Sequence, residues 1–358
     1  MKRILILSAS FGEGHNSAAR GVRDGLARVA PDAQVELRDL FAEAYGQLNE
    51  RVRKTYLALI NRWPRSWGIV YRWLDSKKEF DKDFAKFSRL KDYLAHLLES
   101  FRPDMVVSTF PPYPYLLRQI STAPHCQNVA VVTDSITVNA IWYRAPADYF
   151  LLPNEQSAAV VRAGGVAPEK IRIFGFPVSP KFADFARNRQ APLPKRPHVL
   201  YMINAGTGKA PKTVARLLDL SVQLTVTVGR DQRVRDAIEA VVGDREIDII
   251  GWTDQLPRML SESHLLIGKA GGATVQETIA AGCPMIVNHI VSGQEEGNAR
   301  LIVETNSGVI ARSPAKVVGQ VQRAFADGAK QWREWATNIS KLSRPRASLD
   351  IAEFLLSI

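Results

Sequence analysis

The chain has 358 residues, 46% of them apolar, with 47 basic against 36 acidic side chains and a formal charge of +11. That length suits two domains of ordinary size, and the composition excludes a disordered or collagen-like chain. Two cysteines, Cys126 and Cys283, without a C-x-x-C spacing leave no disulfide framework or structural zinc, and no apolar run reaches the roughly 18 residues of a membrane span.

The basic surplus calls for an anionic partner: nucleic acid, an acidic membrane surface or a phosphorylated substrate. A reducing cytoplasm suits the two thiols. Met1-Lys2-Arg3 leads into a short apolar run that reads as a first strand, since a secretory segment needs a longer one. Strand-like runs follow at 3–8, 34–37, 105–109, 128–133, 149–152 and 170–174. A second series lies at 199–203, 224–228, 247–250, 265–267 and 284–288. Helix-period segments separate most of them, so parallel sheets covered on both faces are expected.

The turn Gly12-Glu13-Gly14-His15 follows the first run and opens a helix carrying Ala18 and Ala19. A histidine at a helix start has its proton affinity lowered by the dipole, which suits it to take a proton from an alcohol. A surface or capping histidine is the plain alternative. Segment 51–91 carries 12 Lys/Arg against four Asp/Glu, with eight aromatics including Trp63, Trp67 and Trp73. Val52, Tyr56, Leu59, Ile60 and Trp63 recur at helical spacing up to Pro64. Basic residues interleaved with Trp and Tyr suit a helix lying on an anionic lipid surface, or equally a helix burying its apolar face. Asp134 ends a strand in Thr133-Asp134-Ser135, where a parallel sheet places ligands; it would orient His15 or bind the acceptor. His125 and His289 are read as structural.

Five prolines from Pro177 to Pro197, among Lys181, Arg187, Arg189, Lys195 and Arg196, mark an interdomain linker. The expected division is an acceptor- and membrane-binding domain at 1–180, a linker at 181–196 and a donor domain at 197–335. A C-terminal helical segment at 336–358 is expected to pack back on the first domain. In the second half, Asn204-Ala205-Gly206-Thr207-Gly208-Lys209 precedes a helix but lacks the P-loop spacing, which argues against ATP hydrolysis. Gly268-Lys269-Ala270-Gly271-Gly272-Ala273-Thr274-Val275-Gln276-Glu277 puts paired glycines and a helix start after a strand, a turn suited to a pyrophosphate. Glu277, about one helical turn in, is placed to accept from ribose hydroxyls. The same residues also fit a plain strand-to-helix turn with Glu277 serving the dipole. Ser292-Gly293-Gln294-Glu295-Glu296-Gly297-Asn298 offers the donors and acceptors that sugar hydroxyls need, or is simply a polar loop.

The ordered set resembles the monogalactosyldiacylglycerol synthases and processive diacylglycerol glucosyltransferases, which are GT-B glycosyltransferases. It comprises Gly12-Glu13-Gly14-His15, Val131-Val132-Thr133-Asp134, Trp142 and Gly175-x-Pro177-Val178, then Gly251-Trp252-Thr253-Asp254, Gly268 to Glu277, Gly282-Cys283-Pro284 and Gly293 to Asn298. The resemblance covers most of the chain. It implies an α/β fold of two Rossmann-like domains facing each other across a cleft, and an inverting transfer of glucose or galactose from a UDP-sugar to a lipid, above all diacylglycerol. It further implies His15 as the base with Asp134 beside it, Glu277 on the ribose, Gly271, Gly272 and Thr274 on the phosphates, and the backbone near Trp252 by the uracil. Gln294 and Glu295 would hold the sugar, with Gly206, Thr207, Gly208, Lys269 and Asn298 completing the donor site. Trp63, Trp67, Trp73 and Trp142 would meet the acceptor or membrane. Three departures stand out: Gly272-Ala273 where these lipid enzymes usually have Pro-Gly, Asn204-Ala205-Gly206 in place of a richer glycine run, and no His-Pro pair before Trp142.

The expected partners are therefore a UDP-hexose, a lipid acceptor and an anionic membrane surface, with no nucleic acid, no cofactor and no metal. The expected location is the cytoplasm, peripheral on the inner face of the cell membrane. Alternatives are a transferase or sugar-nucleotide epimerase acting on a soluble or polyprenyl-linked substrate, and a non-enzymatic polyanion binder.

Overall fold

The computed structural model describes residues 2–46, 77, 79–120, 126–136, 138–185, 193–291 and 295–358. The chain divides into two compact units, Met1–Pro180 with Arg346–Ile358, and Lys181–Val291 with Glu295–Pro345.

The first unit begins with β1 (Arg3–Ser8), α1 (Glu13–Val29), β2 (Gln34–Asp39) and α2 (Leu40–Tyr45). It continues with α3 (Asp81–Phe84), α4 (Ser88–Phe101), β3 (Met105–Ser108), α5 (Tyr113–Arg118) and β4 (Gln127–Val131). Then come α6 (Ala140–Tyr143), β5 (Tyr149–Leu152), α7 (Glu155–Ala163) and β6 (Ile171–Ile173). Among the described residues its strands form one parallel sheet in the order β2-β1-β3-β4-β5-β6. β1 and β3 carry buried residues at successive positions, because helices cover both faces of the sheet and leave no polar side.

The second unit holds α8 (Lys181–Phe185), β7 (His198–Met202), α9 (Ala210–Leu217), β8 (Gln223–Gly229) and α10 (Gln232–Val242). β9 (Asp248–Gly251), α11 (Leu256–Glu262), β10 (Leu265–Lys269) and α12 (Gly272–Ala281) follow. It closes with β11 (Met285–His289), α13 (Glu296–Glu304), β12 (Gly308–Ile310), α14 (Pro314–Phe325) and α15 (Lys330–Leu342). Its sheet is also parallel, in the order β12-β11-β10-β7-β8-β9 among the described residues. Strand order reverses between β1 and β3 in one sheet and between β7 and β10 in the other. In open parallel sheets such reversals leave a crevice beyond the strands' carboxyl ends, where ligands bind.

The last helix, α16 (Ala347–Ser357), belongs to the first unit and packs on α1. Ile351, Ala352 and Leu355 join Ala19, Val22 and Leu26 of α1 over Ile4, Ile6 and Val107 of the sheet. The helices approach closely because Gly25 has no side chain: a Cβ there would lie 2.3 Å from the Ser348 carbonyl oxygen. The Lys2 ammonium donates to the carbonyls of Leu355 and Ile358, meeting the negative end of α16.

Candidate active site

In the first unit, β1 ends at Ser8 and the chain turns through Ala9–Gly12 into α1, whose start has no side-chain cap. The turn is fastened by side chains. Ser8 Oγ donates to Asn16 Oδ1 at 2.6 Å, Asn16 Nδ2 to Ser10 Oγ at 3.0 Å, and Ser10 N and Oγ to Asp39 Oδ2 at 2.9 and 2.5 Å. Asp39 also caps α2 through Ala42 N–H. Fixing the turn fixes His15, in the first turn of α1.

His15 Nδ1 lies 2.8 Å from the carbonyl oxygen of Thr109, just past β3, and 3.1 Å from Thr133 Oγ1, just past β4. A carbonyl can only accept, so Nδ1 carries the hydrogen and the lone pair of the neutral ring resides on Nε2. Burial lowers the imidazole to about 4, against a smaller opposing effect of the Thr109 bond. The ring is thus neutral at ordinary pH, with one nitrogen committed and the other available to take a proton. Phe110 meets it edge-to-face at 5.1 Å and Trp142 lies 6.2 Å away.

Asp134 is raised to about 6 by burial, an effect moderated by the Asn139 backbone and Trp142 side-chain hydrogen bonds it accepts. Its own backbone is tied down: its carbonyl accepts from Ser157 Oγ at 3.0 Å, and the carbonyl of the next residue, Ser135, from Asn154 Nδ2 at 2.6 Å. Two sequence expectations change here. Orienting His15 falls to the Thr109 carbonyl, while Asp134 bonds Asn139 and Trp142. Trp142, only 2% exposed, is a core residue bonded to Asp134 and cannot present its ring to a membrane. Trp63, Trp67 and Trp73 lie outside the described residues, as does His125.

In the second unit, β10 delivers Lys269 and the chain turns at Gly271 into α12, again with no side chain capping the helix. The first backbone N–H groups of such a helix have no partner within it and carry a partial positive charge, a site for phosphate oxygens. Gly271 and Gly272 form the turn, Thr274 is buried in the first helical turn, and Glu277 is half-buried in the second. Asn298 Nδ2 donates to the Ala270 carbonyl at 3.2 Å, bringing α13 to this turn.

Glu295 departs from its expected role. It is 6% exposed; Oε1 accepts from the Lys269 ammonium at 2.8 Å and Oε2 from Val291 N–H at 2.9 Å. Its oxygens hold the Lys269 ammonium and the Val291 N–H, so it is a positioning residue, where a direct sugar ligand was expected. Gln294 lies outside the described residues.

Beyond β7, Gly206 adopts φ +66, a left-handed conformation suited to glycine, and starts a short 3-10 turn through Thr207, Gly208 and Lys209. Trp252 follows β9 and is 66% exposed, its ring under the Arg230 guanidinium at 5.1 Å. A cavity of about 340 Å³ beside it is lined by Asn204, Thr207, Arg230, Asp231 and Trp252.

Among the described residues no group of three or more His, Cys, Asp or Glu is arranged to hold a metal, and no helix is long and apolar enough to cross a membrane. The functional partners that sequence reasoning missed are Thr109, which acts through its backbone carbonyl, and Thr133. The latter stands in Thr133-Asp134, beside the residue that drew attention.

Comparison with known proteins adds an independent line. Residues 15–178 match the monogalactosyldiacylglycerol (MGDG) synthase family, and residues 207–344 match the glycosyltransferase family 28 C-terminal domain. A probable monogalactosyldiacylglycerol synthase 2, chloroplastic, of Oryza sativa subsp. japonica is 27% identical over 98% of this chain and 80% of its own length. Monogalactosyldiacylglycerol synthase 2, chloroplastic, of Arabidopsis thaliana is 24% identical over the same shares. Among solved structures, Acinetobacter baumannii MurG has a TM-score of 0.63 at 13% identity, covering 100% of both chains. A UDP-GlcNAc 2-epimerase from Neisseria meningitidis bound to UDP-GlcNAc has 0.60 at 14%, also covering 100% of both. At such identities the structural likeness shows the fold alone.

Proposed function

We propose that the chain, which matches the monogalactosyldiacylglycerol synthase family over residues 15–178 and the glycosyltransferase family 28 C-terminal domain over residues 207–344, is a UDP-sugar-dependent glycosyltransferase that moves a hexose from a UDP-sugar to the free hydroxyl of diacylglycerol, with inversion. His15 Nε2 takes the hydroxyl proton as the acceptor oxygen bonds to the anomeric carbon. The bond from that carbon to the diphosphate breaks, and its electron pair goes to the departing phosphate oxygen. The start of α12, from Gly271 to Thr274, neutralises that charge without a metal or cofactor, while Glu277 accepts from the ribose. Asp134 and Trp142 form the wall beside the base.

The observation that carries this reading is the His15–Thr109 bond, which commits Nδ1 and leaves the other ring nitrogen as the acceptor. The relatives named for monogalactosyldiacylglycerol synthesis favour galactose and diacylglycerol. The basic and aromatic composition of 51–91 favours work at an anionic membrane surface, and we place the protein peripherally on the inner face of the cell membrane. The test is incubation with diacylglycerol-containing vesicles and each UDP-hexose in turn, followed by mass analysis of the lipids. The expected product is a hexosyl-diacylglycerol from one donor. Vesicles unchanged by every UDP-hexose, beside transfer to a soluble or polyprenyl-linked acceptor, would replace the lipid reading.

A further inference from the structure

Asp39 ends β2 and precedes α2, and its two oxygens accept from different pieces of chain. Oδ1 takes the Ala42 N–H at 3.0 Å, while Oδ2 takes both the N–H and the hydroxyl of Ser10, at 2.9 and 2.5 Å. The other side-chain hydrogens of the turn run towards this carboxylate. Ser8 Oγ donates to Asn16 Oδ1, Asn16 Nδ2 to Ser10 Oγ, and Ser10 Oγ to Asp39. Consecutive bonds that point one way strengthen one another, and this series ends on a charge. Asn16 is the neighbour of His15 in α1.

Two apolar contacts join the same elements. The buried Tyr113 hydroxyl donates to the Ser8 carbonyl at 2.6 Å, and its ring lies 6.0 Å from that of Phe41 in α2. Phe41 meets Phe11 of the base turn edge-to-face at 5.3 Å and Phe110, the ring against His15, at 5.8 Å.

Helix capping alone does not account for Asp39. A cap needs one acceptor, and Asp, Asn and Ser serve about equally. Here Oδ2 faces two donors, which suits a group that only accepts: an amide capping α2 with its oxygen would turn its own N–H groups against Ser10. We infer that Asp39 is a positioning residue for the base. It locks α2 and the β1–α1 turn into one body, and so holds His15 Nδ1 on the Thr109 carbonyl with Nε2 left to the acceptor. The catalytic consequence rests on the reading of His15 as the base; the positioning itself does not.

Asp39→Asn keeps the cap and spoils the Ser10 bonds, so it separates the two roles. In the vesicle assay it should lower kcat about 100-fold, the effect of a misplacement of about 1 Å, while the KM for the UDP-sugar stays within threefold. Ser10→Ala keeps the N–H bond and should cost about tenfold; added to Asp39→Asn it should cost little more, because the two share one interaction. Isotope-labelled histidine gives a readout that needs no transfer. The His15 signals, assigned through H15Q, should report Nδ1–H in the wild type and a mixture of tautomers in Asp39→Asn. Thermal melts confirm that each variant is folded. Folded Asp39→Asn protein with wild-type kcat, or with an unchanged His15 tautomer, would overturn the inference. Wild-type protein that transfers no hexose, beside a tautomer that shifts on substitution, would uphold the positioning and place the failure in the proposed reaction.

Discussion

The two glycine turns use the same piece of architecture for opposite ends. In each unit a strand beside the reversal of its sheet runs into a glycine turn and an uncapped helix, α1 in one and α12 in the other. At α1 the first helical turn carries an imidazole in an apolar setting of Phe110 and Trp142, where burial strips its charge. At α12 the neighbouring cation, Lys269, is ion-paired at 2.8 Å with a buried carboxylate, Glu295. A helix start contributes the same partial positive charge to both. What surrounds it decides whether the site handles a proton or an anion.

The strongest way to break that contrast is to remove the proton acceptor. His15→Ala should lower kcat about 1,000-fold while leaving UDP affinity by calorimetry within twofold; turnover close to wild type would end the assignment. Next in size is a pH effect on stability. The Asp134 carboxyl is raised from 3.8 to about 6, so its contribution is complete below pH 4 and lost as pH rises through 6. His15 is lowered from 6.5 to about 4, so its contribution is complete above pH 6.5 and lost as pH falls through 4. Asp134→Asn should therefore gain on wild type between pH 4 and pH 8, by about 3 kcal/mol if the whole shift is expressed. Melting curves at both pH values would show it, and a gap that does not change with pH would contradict the buried carboxyl.

The complementary change in the second unit, Glu277→Ala, should weaken UDP roughly 10- to 100-fold and leave the pH profile of turnover unmoved. Equal affinities in the two proteins would remove the ribose role. The smallest effects separate the units by their helix caps. Ser313→Ala removes the side chain that accepts from Lys316 N–H and should cost about 1 kcal/mol. Asn154→Ala loses both the cap on Ser157 N–H and the tie to Ser135 beside Asp134, so it should cost more and also reduce turnover. Denaturant titration of both variants checks the ranking.

Much of the scaffold could be read along the chain because buried parallel strands leave short unbroken apolar runs. Each of the strands from β1 to β11 overlaps a strand-like run, although β2 and β6 are broken by charged residues. β12 was missed because Gly308–Ile310 is three residues long, too short to give a pattern. The site was legible where it depends on local sequence, as at His15 and the Gly271 turn, whose positions at helix starts follow from glycines after strands. It was illegible where it depends on pairing between distant residues. The Thr109 carbonyl that sets the His15 tautomer is backbone, which no side-chain pattern advertises. The Glu295–Lys269 pair joins residues 26 apart, and Glu295 on its own looked like any polar loop residue. Trp142 was expected at an acceptor or membrane surface because its bond to Asp134 appears only once the chain is folded.

The seating of α16 on α1 has a consequence for how the protein is made. Ile351, Ala352 and Leu355 complete the apolar layer over β1 and β3, yet they leave the ribosome only after the whole intervening unit has been synthesised. Until then the nascent first unit carries an uncovered strip on α1, along Ala19, Val22 and Leu26, and must wait for its last 13 residues to finish its core. That interval is when the chain is most exposed to self-association, and a chaperone binding apolar helix faces would be of most use to it then.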